Sequence, residues 1–337
     1  MRNNSHRNKK YESLAERCRQ RMIRIALTEM QLQVTRHKMK VHESQDYIPG
    51  GKYEIEEFLN NAYMNRAEVA LGMDIYKPVV PETQELPVII TLYGGGLVTG
   101  DRKSARNYSR ELASRGYLVF AIEYRLVPHA NVAEELDDVC SGMDLVGKKL
   151  VDFNVDFSRI FLTGSSAGGY LAIYVAAMKR SEKLQKAIGF EPSRVRFKAV
   201  GLDCGMIYTQ LNDPIGQLLA EQFYGDKRDD NDFVRFMDPE NPEVLNNLPP
   251  VFLNTCRGDF LNNYTLMFHK ALKDAGKPTK LVYYGGKKLG HAFVGSCSGL
   301  KESQETIEKM LEWFEEQADI QREEKRRKEE QKAVSEK

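Results

Sequence analysis

The feature that most constrains this chain is a rhythm that begins near residue 86. Short apolar runs alternate with stretches of helical periodicity. The runs are Pro87–Leu92, Tyr117–Ile122, Arg159–Thr163, Phe197–Leu202, Pro250–Thr255 and Lys280–Tyr284, and the helical stretches are 104–115, 132–149, 167–181, 263–275 and 302–317. Most of the runs are nearly continuous in apolar residues rather than alternating, as strands covered on both faces must be. Strand and helix repeated in this order predict an α/β architecture with a mostly parallel, doubly wound sheet.

Two segments fall outside the rhythm. Residues 1–75 precede it and read as largely helical, with Tyr11–Met30 as an amphipathic helix. Residues 206–248 are polar and irregular, placed where α/β proteins carry ligand-binding insertions. Together they are expected to form a helical cap over a catalytic domain spanning 76–314. From Glu315 onward 15 of the last 23 residues are charged, which predicts a solvated, fraying helix or a disordered tail over 315–337.

Charge narrows the partners. The chain of 337 residues holds 49 Lys+Arg against 48 Asp+Glu, so a nucleic-acid partner is not expected. The balance is a sum of unlike parts: residues 1–40 carry 11 basic and 3 acidic side chains, whereas 41–314 carry 31 against 37. The basic excess reads either as a solvated helix face or as an attractor for an anionic substrate or surface. The five cysteines are scattered and form no CxxC pair, which fits a reduced, cytoplasmic protein. No apolar run approaches the length of a membrane span. Homodimerisation stays open on sequence grounds.

The sharpest chemical signal is Gly164-Ser165-Ser166-Ala167-Gly168-Gly169, directly after one strand and before a helix. It fits the G-x-S-x-G elbow, in which a nucleophilic serine sits on a strained turn and the glycines two before and two after let the backbone pass. Tyr93-Gly94-Gly95-Gly96 closes another strand, and three successive glycines cost backbone entropy unless bare N–H groups must approach a ligand. A phosphate loop is the competing reading, but no Lys-Ser/Thr follows at the required spacing.

A serine hydroxyl needs a base, and the base needs an orienting acid. Of six histidines, His6, His37, His42 and His269 read as surface or packing residues, His129 lies in a loop after a strand, and His291 follows the last strand. Asp259 follows the strand ending at Thr255. Ser166, Asp259 and His291 therefore occur in the chain order of α/β-hydrolases, each at a strand end.

These residues carry a resemblance. The chain resembles the hormone-sensitive-lipase-like branch of the α/β-hydrolase esterases through GSSAGG, Glu123-Tyr124-Arg125-Leu126-Val127-Pro128, Leu136-Asp137-Asp138-Val139, Leu248-Pro249-Pro250 and His291-Ala292-Phe293. The similarity runs over roughly residues 86–295. It implies an α/β-hydrolase fold with a helical cap, and hydrolysis of short-chain acyl esters of small molecules with Ser166 as nucleophile, His291 as base and Asp259 as orienter. The implied oxyanion donors are the backbone N–H groups of Gly95, Gly96 and Ala167. Neither a metal nor an organic cofactor is expected. An amidase or deacetylase would use the same machinery, and a non-catalytic receptor could share the fold. The chain departs from the family pattern at Tyr93, Leu97, His129 and Asn263. At Tyr93, where the family has histidine, a phenol must take over whatever hydrogen bonds hold the glycine loop.

Overall fold

The computed structural model describes residues 47–66, 69–213, 215–216, 223–286 and 289–335. Eight strands form one sheet: β1 (Ile55–Arg66), β2 (Val69–Pro78), β3 (Leu86–Leu92), β4 (Leu118–Ile122), β5 (Val155–Ser165), β6 (Val200–Asp203), β7 (Val251–Cys256) and β8 (Thr279–Tyr284). Their spatial order is β1-β2-β4-β3-β5-β6-β7-β8. From β4 to β8 every pairing is parallel, whereas β1–β2 and β2–β4 are antiparallel.

The strands inside the sheet are covered on both faces, and their side chains divide by parity. Val88, Ile90 and Leu92 of β3 and Leu118, Phe120 and Ile122 of β4 join one core, while Ile89, Val119 and Ala121 join the other. The first core is closed by α2 (Val132–Lys149) and α3 (Ala167–Met178), the second by α1 (Arg106–Ser114) and α9 (Lys301–Ser335). On the second face Phe314 stacks on Phe161 at 4.7 Å and Trp313 lies 6.0 Å from Phe252. Burying one such aromatic stabilises the fold by about 1.5–3 kcal/mol. Helix α2 begins where the sequence predicts, because Asn131 and Glu134 form a reciprocal capping box.

Part of the region read as helical is sheet. Residues 55–66 and 69–78 form an antiparallel pair at the sheet edge, running from Ile55↔Pro78 to Arg66↔Val69 with register shifts between Phe58 and Asn61 and between Ala62 and Met64. Glu, Ala, Leu and Met in this stretch favour a helix, but Leu71, Met73 and Ile75 find their burial only as a strand beside β4. Tyr11–Met30 lies outside the described residues. After α3 comes α4 (Glu182–Ile188); within 206–248, α5 (Asn231–Phe236) and α6 (Pro242–Leu245) are short helices, and α7 (Asn262–Asp274) follows β7. Phe233, Phe236 and Met237 there share the core with Tyr170 and Tyr174 of α3, so the insertion is seated on the helix that follows the elbow.

The charged tail is no separate segment. Helix α9 runs without interruption through residue 315, and Gln317 and Ala318 are still buried. Beyond them the helix is exposed and laced by i,i+4 pairs such as Lys325–Glu329 and Arg326–Glu330. No helix among the described residues is long and apolar enough to cross a membrane.

Candidate active site

The residues singled out by chemistry converge at the carboxyl ends of β3, β5 and β7 and in the loop after β8. Ser166 caps the N-terminus of α3 with φ +51° and ψ −116°, a strained backbone for a residue with a side chain. The flanking glycines are sterically required. A Cβ on Gly164 would lie 2.2 Å from the carbonyl oxygen of Gly168, and one on Gly168 would lie 2.3 Å from that of Leu92. The elbow therefore folds against itself and against the end of β3.

His291 stands between the other two residues, its Nδ1 2.6 Å from Asp259 Oδ1 and its Nε2 2.8 Å from Ser166 Oγ. All three side chains are buried or nearly so. Asp259 also accepts from the Leu261 N–H at 2.9 Å and from the Thr255 hydroxyl at 2.7 Å. Burial pushes its pKa up, but the hydrogen bond and charge of His291, with those two further donors, outweigh this and hold the carboxyl below its ordinary value. An ionised carboxylate only accepts, so Nδ1 carries the proton and Nε2 is left to accept from the serine hydroxyl.

The glycine loop lies across from Ser166. Val98 and Thr99 donate to the carbonyl of Gly95 at 3.2 and 3.1 Å, and Val127 donates to that of Leu97 at 2.9 Å. Among the described residues no backbone carbonyl accepts from the N–H of Gly95 or Gly96. Tyr93, at the root of the loop, is paired with Tyr124: the rings stack at 4.2 Å and 10°.

These groups line a cavity of about 290 Å³, whose walls include Gly94, Gly95, Gly96, Thr99, Tyr108 and Phe260. Ala167 is buried and does not line the cavity. Among the described residues, none from 206–248 lines the cavity. His129 is exposed, and His269 sits beside Thr279, 3.3 Å from its hydroxyl, so neither competes with His291.

Four neighbours of the site carry no signal of their own that marks them as such in the sequence analysis. Phe260 packs on His291 with ring centroids 4.4 Å apart, and its adjacency to Asp259 was the available signal. Asp203 ends β6 and Asn254 lies inside β7, and nothing local marks either of them. Cys204, next to Asp203, places its thiol within 4.8 Å of the Asp259 and His291 ligand atoms. These three form the only potential metal-binding group of this kind among the described residues. The shared imidazole and carboxylate are, however, already engaged with each other and with Ser166.

An eight-stranded, mostly parallel sheet with a strained serine at a strand–helix elbow and Asp and His delivered from later strand ends defines the α/β hydrolases. The chain belongs to the alpha/beta hydrolase fold family, in its hormone-sensitive-lipase-like branch, and residues 89–295 match it. Among curated relatives it is 26% identical over 232 residues to a probable isoprenylcysteine alpha-carbonyl methylesterase of Oryza sativa subsp. japonica, covering 66% of this chain and 56% of that one. It is 24% identical over 230 residues to Esterase LipI of Mycobacterium tuberculosis, covering 67% and 71%. The chain thus spans about half the length of the methylesterases it matches. Among solved structures, Esterase B of Lactobacillus rhamnosis, inhibited by a tributyrin phosphonate, superposes with a TM-score of 0.79 at 24% identity, covering 91% of this chain and 98% of the other. A hyperthermophilic esterase from Pyrobaculum calidifontis gives 0.63 at 20% identity, covering 89% and 97%. At these identities the structural likeness is one of fold.

Proposed function

We propose that the protein is a serine carboxylic-ester hydrolase that cleaves short-chain acyl esters of small molecules through an acyl-enzyme. The observation that carries this reading is the array Ser166 Oγ–His291 Nε2 at 2.8 Å and His291 Nδ1–Asp259 Oδ1 at 2.6 Å, opening on a cavity beside bare glycine N–H groups. The esterase names of its relatives point the same way.

In this mechanism Ser166 Oγ attacks the ester carbonyl while His291 Nε2 takes its proton. Asp259 holds the ring in the correct tautomer and offsets the imidazolium charge. The oxyanion is received by the N–H groups of Gly95, Gly96 and Ala167, the last at the positive end of α3. His291 then returns the proton to the departing alcohol, and a water activated by the same nitrogen releases the acid from Ser166. The small cavity favours short acyl groups.

Ser166→Ala should lower kcat on a small p-nitrophenyl ester by about 10⁴-fold or more and abolish labelling by a fluorophosphonate probe. Retained turnover in that variant would refute the mechanism.

A further inference from the structure

We propose that Asp203, at the end of β6, is a positioning residue that fixes the spacing of the nucleophile and the base; this rests on the serine-hydrolase reading above. Three other segments of the site meet at this one residue. Its backbone carbonyl accepts from the Ser166 N–H at 2.9 Å. Its Oδ2 accepts from the Ser165 hydroxyl at 2.9 Å and from the Gly295 N–H at 2.9 Å, and its Oδ1 accepts from the Asn254 amide at 2.7 Å. Ser165 and Ser166 belong to the elbow, Asn254 to β7, and Gly295 to the short helix α8 (Phe293–Ser296) immediately after His291.

The nucleophile and the histidine loop are otherwise separate in the chain, 125 residues apart. Asp203 grips both, the first through its main chain and the second through its side chain, so a shift of one is transmitted to the other. The packing at this junction is close. A Cβ on Gly295 would lie 3.1 Å from Ser165 Oγ and 3.3 Å from Asp203 Oδ2, tight enough that a side chain there would press the loop off the carboxylate.

The side chain is also suited to the charge that develops during reaction. Three donors face its two oxygens, an arrangement that an ionised carboxylate satisfies. Burial raises its pKa above the ordinary carboxylate value, and the donors from Gly295, Asn254 and Ser165, together with the charge of His291, offset that rise only in part. The groups of opposite or titratable character around His291 are thus Asp259, which touches Nδ1, Asp203 behind the elbow, and the Cys204 thiol. A second buried negative charge on that side favours the imidazolium formed when Ser166 loses its proton.

The experiment is Asp203→Asn in the full chain, assayed on p-nitrophenyl butyrate for kcat, KM and the pH dependence of kcat/KM, with fluorophosphonate labelling as an independent count of competent serine. We expect kcat to fall roughly 10- to 100-fold with KM within about twofold, because misplacement by a fraction of an ångström acts on the transition state. The acidic limb of the profile should move to lower pH, which a purely structural residue would not produce. Ser165→Ala keeps every charge and removes one donor, so it should fold if Asp203→Asn does not; it should lose kcat several-fold with the acidic limb unmoved. Wild-type kcat in a folded Asp203→Asn, or in Ser165→Ala where the first variant fails to fold, overturns the assignment. A wild-type chain that neither turns over esters nor labels would overturn the serine-hydrolase reading itself, and this assignment with it.

Discussion

The Tyr93 hydroxyl donates to the backbone carbonyl of Tyr124 at 2.9 Å, and the Tyr124 hydroxyl donates back to the carbonyl of Tyr93 at 2.7 Å. The two strand ends carrying them, β3 and β4, are thereby locked to each other just where the glycine loop departs. Burial pushes both phenols' pKa up, so each stays a neutral donor across the working range. This pair ties the root of the glycine loop to the end of β4.

Removing one hydroxyl leaves a buried carbonyl without its partner. Tyr93→Phe and Tyr124→Phe should each cost about 1 kcal/mol of stability in denaturant melts. They should also lower kcat roughly 10-fold, below the roughly 10²- to 10³-fold loss of an oxyanion donor itself. A Tyr93→Phe enzyme with unchanged kcat would show that the loop is held without the pair.

Asp259→Asn should retain the fold but lose about 10⁴ in kcat, since an amide can stabilise the wrong imidazole tautomer. The same carboxyl makes a stability term with a definite sign. Its pKa is held down in the native state, so its contribution is present above the ordinary carboxylate value near ~3.9 and disappears as pH falls through the lower native one. Acid unfolding of Asp259→Asn should accordingly be shallower than that of the wild type.

The elbow glycines should tolerate no side chain. In Gly168→Ala the new methyl would meet two backbone carbonyls, at 2.3 Å from Leu92 and 2.4 Å from Tyr93. Neither can swing away as a flexible side chain could. Loss of about 1–3 kcal/mol or more and of most ester turnover is expected, measured by thermal melting and steady-state assay.

Glu135 titrates in the opposite sense to Asp259. It is fully buried in α2, and burial together with the Asp138 charge pushes its pKa well above the carboxylate range despite Arg125. Its native state favours the protonated form, so the associated stability is complete below about 4.3 and is lost as pH rises through the raised native value. Glu135→Gln should flatten that decline in Tm; an unchanged slope would assign it to other groups.

The amino-acid sequence by itself determined the six parallel strands, the start of α2 and the order Ser166, Asp259, His291. Each is a local matter: apolar runs that must be covered on both faces, helical periodicity over 132–149, and glycines around a serine between strand and helix. It did not reveal that Ile55–Pro78 is a hairpin. Those residues have no strong intrinsic strand preference, and pairing with β4, more than 40 residues on, decides their conformation. Nor did it reveal how Tyr93 is held, that Asp203 joins three other segments, or that Phe314 and Trp313 anchor the last helix on β5 and β7. Those arrangements are contacts between residues from 31 to more than 150 positions apart. Only closing the sheet brings such groups within hydrogen-bonding or packing distance, and a short-range pattern holds no trace of which distant partner will arrive.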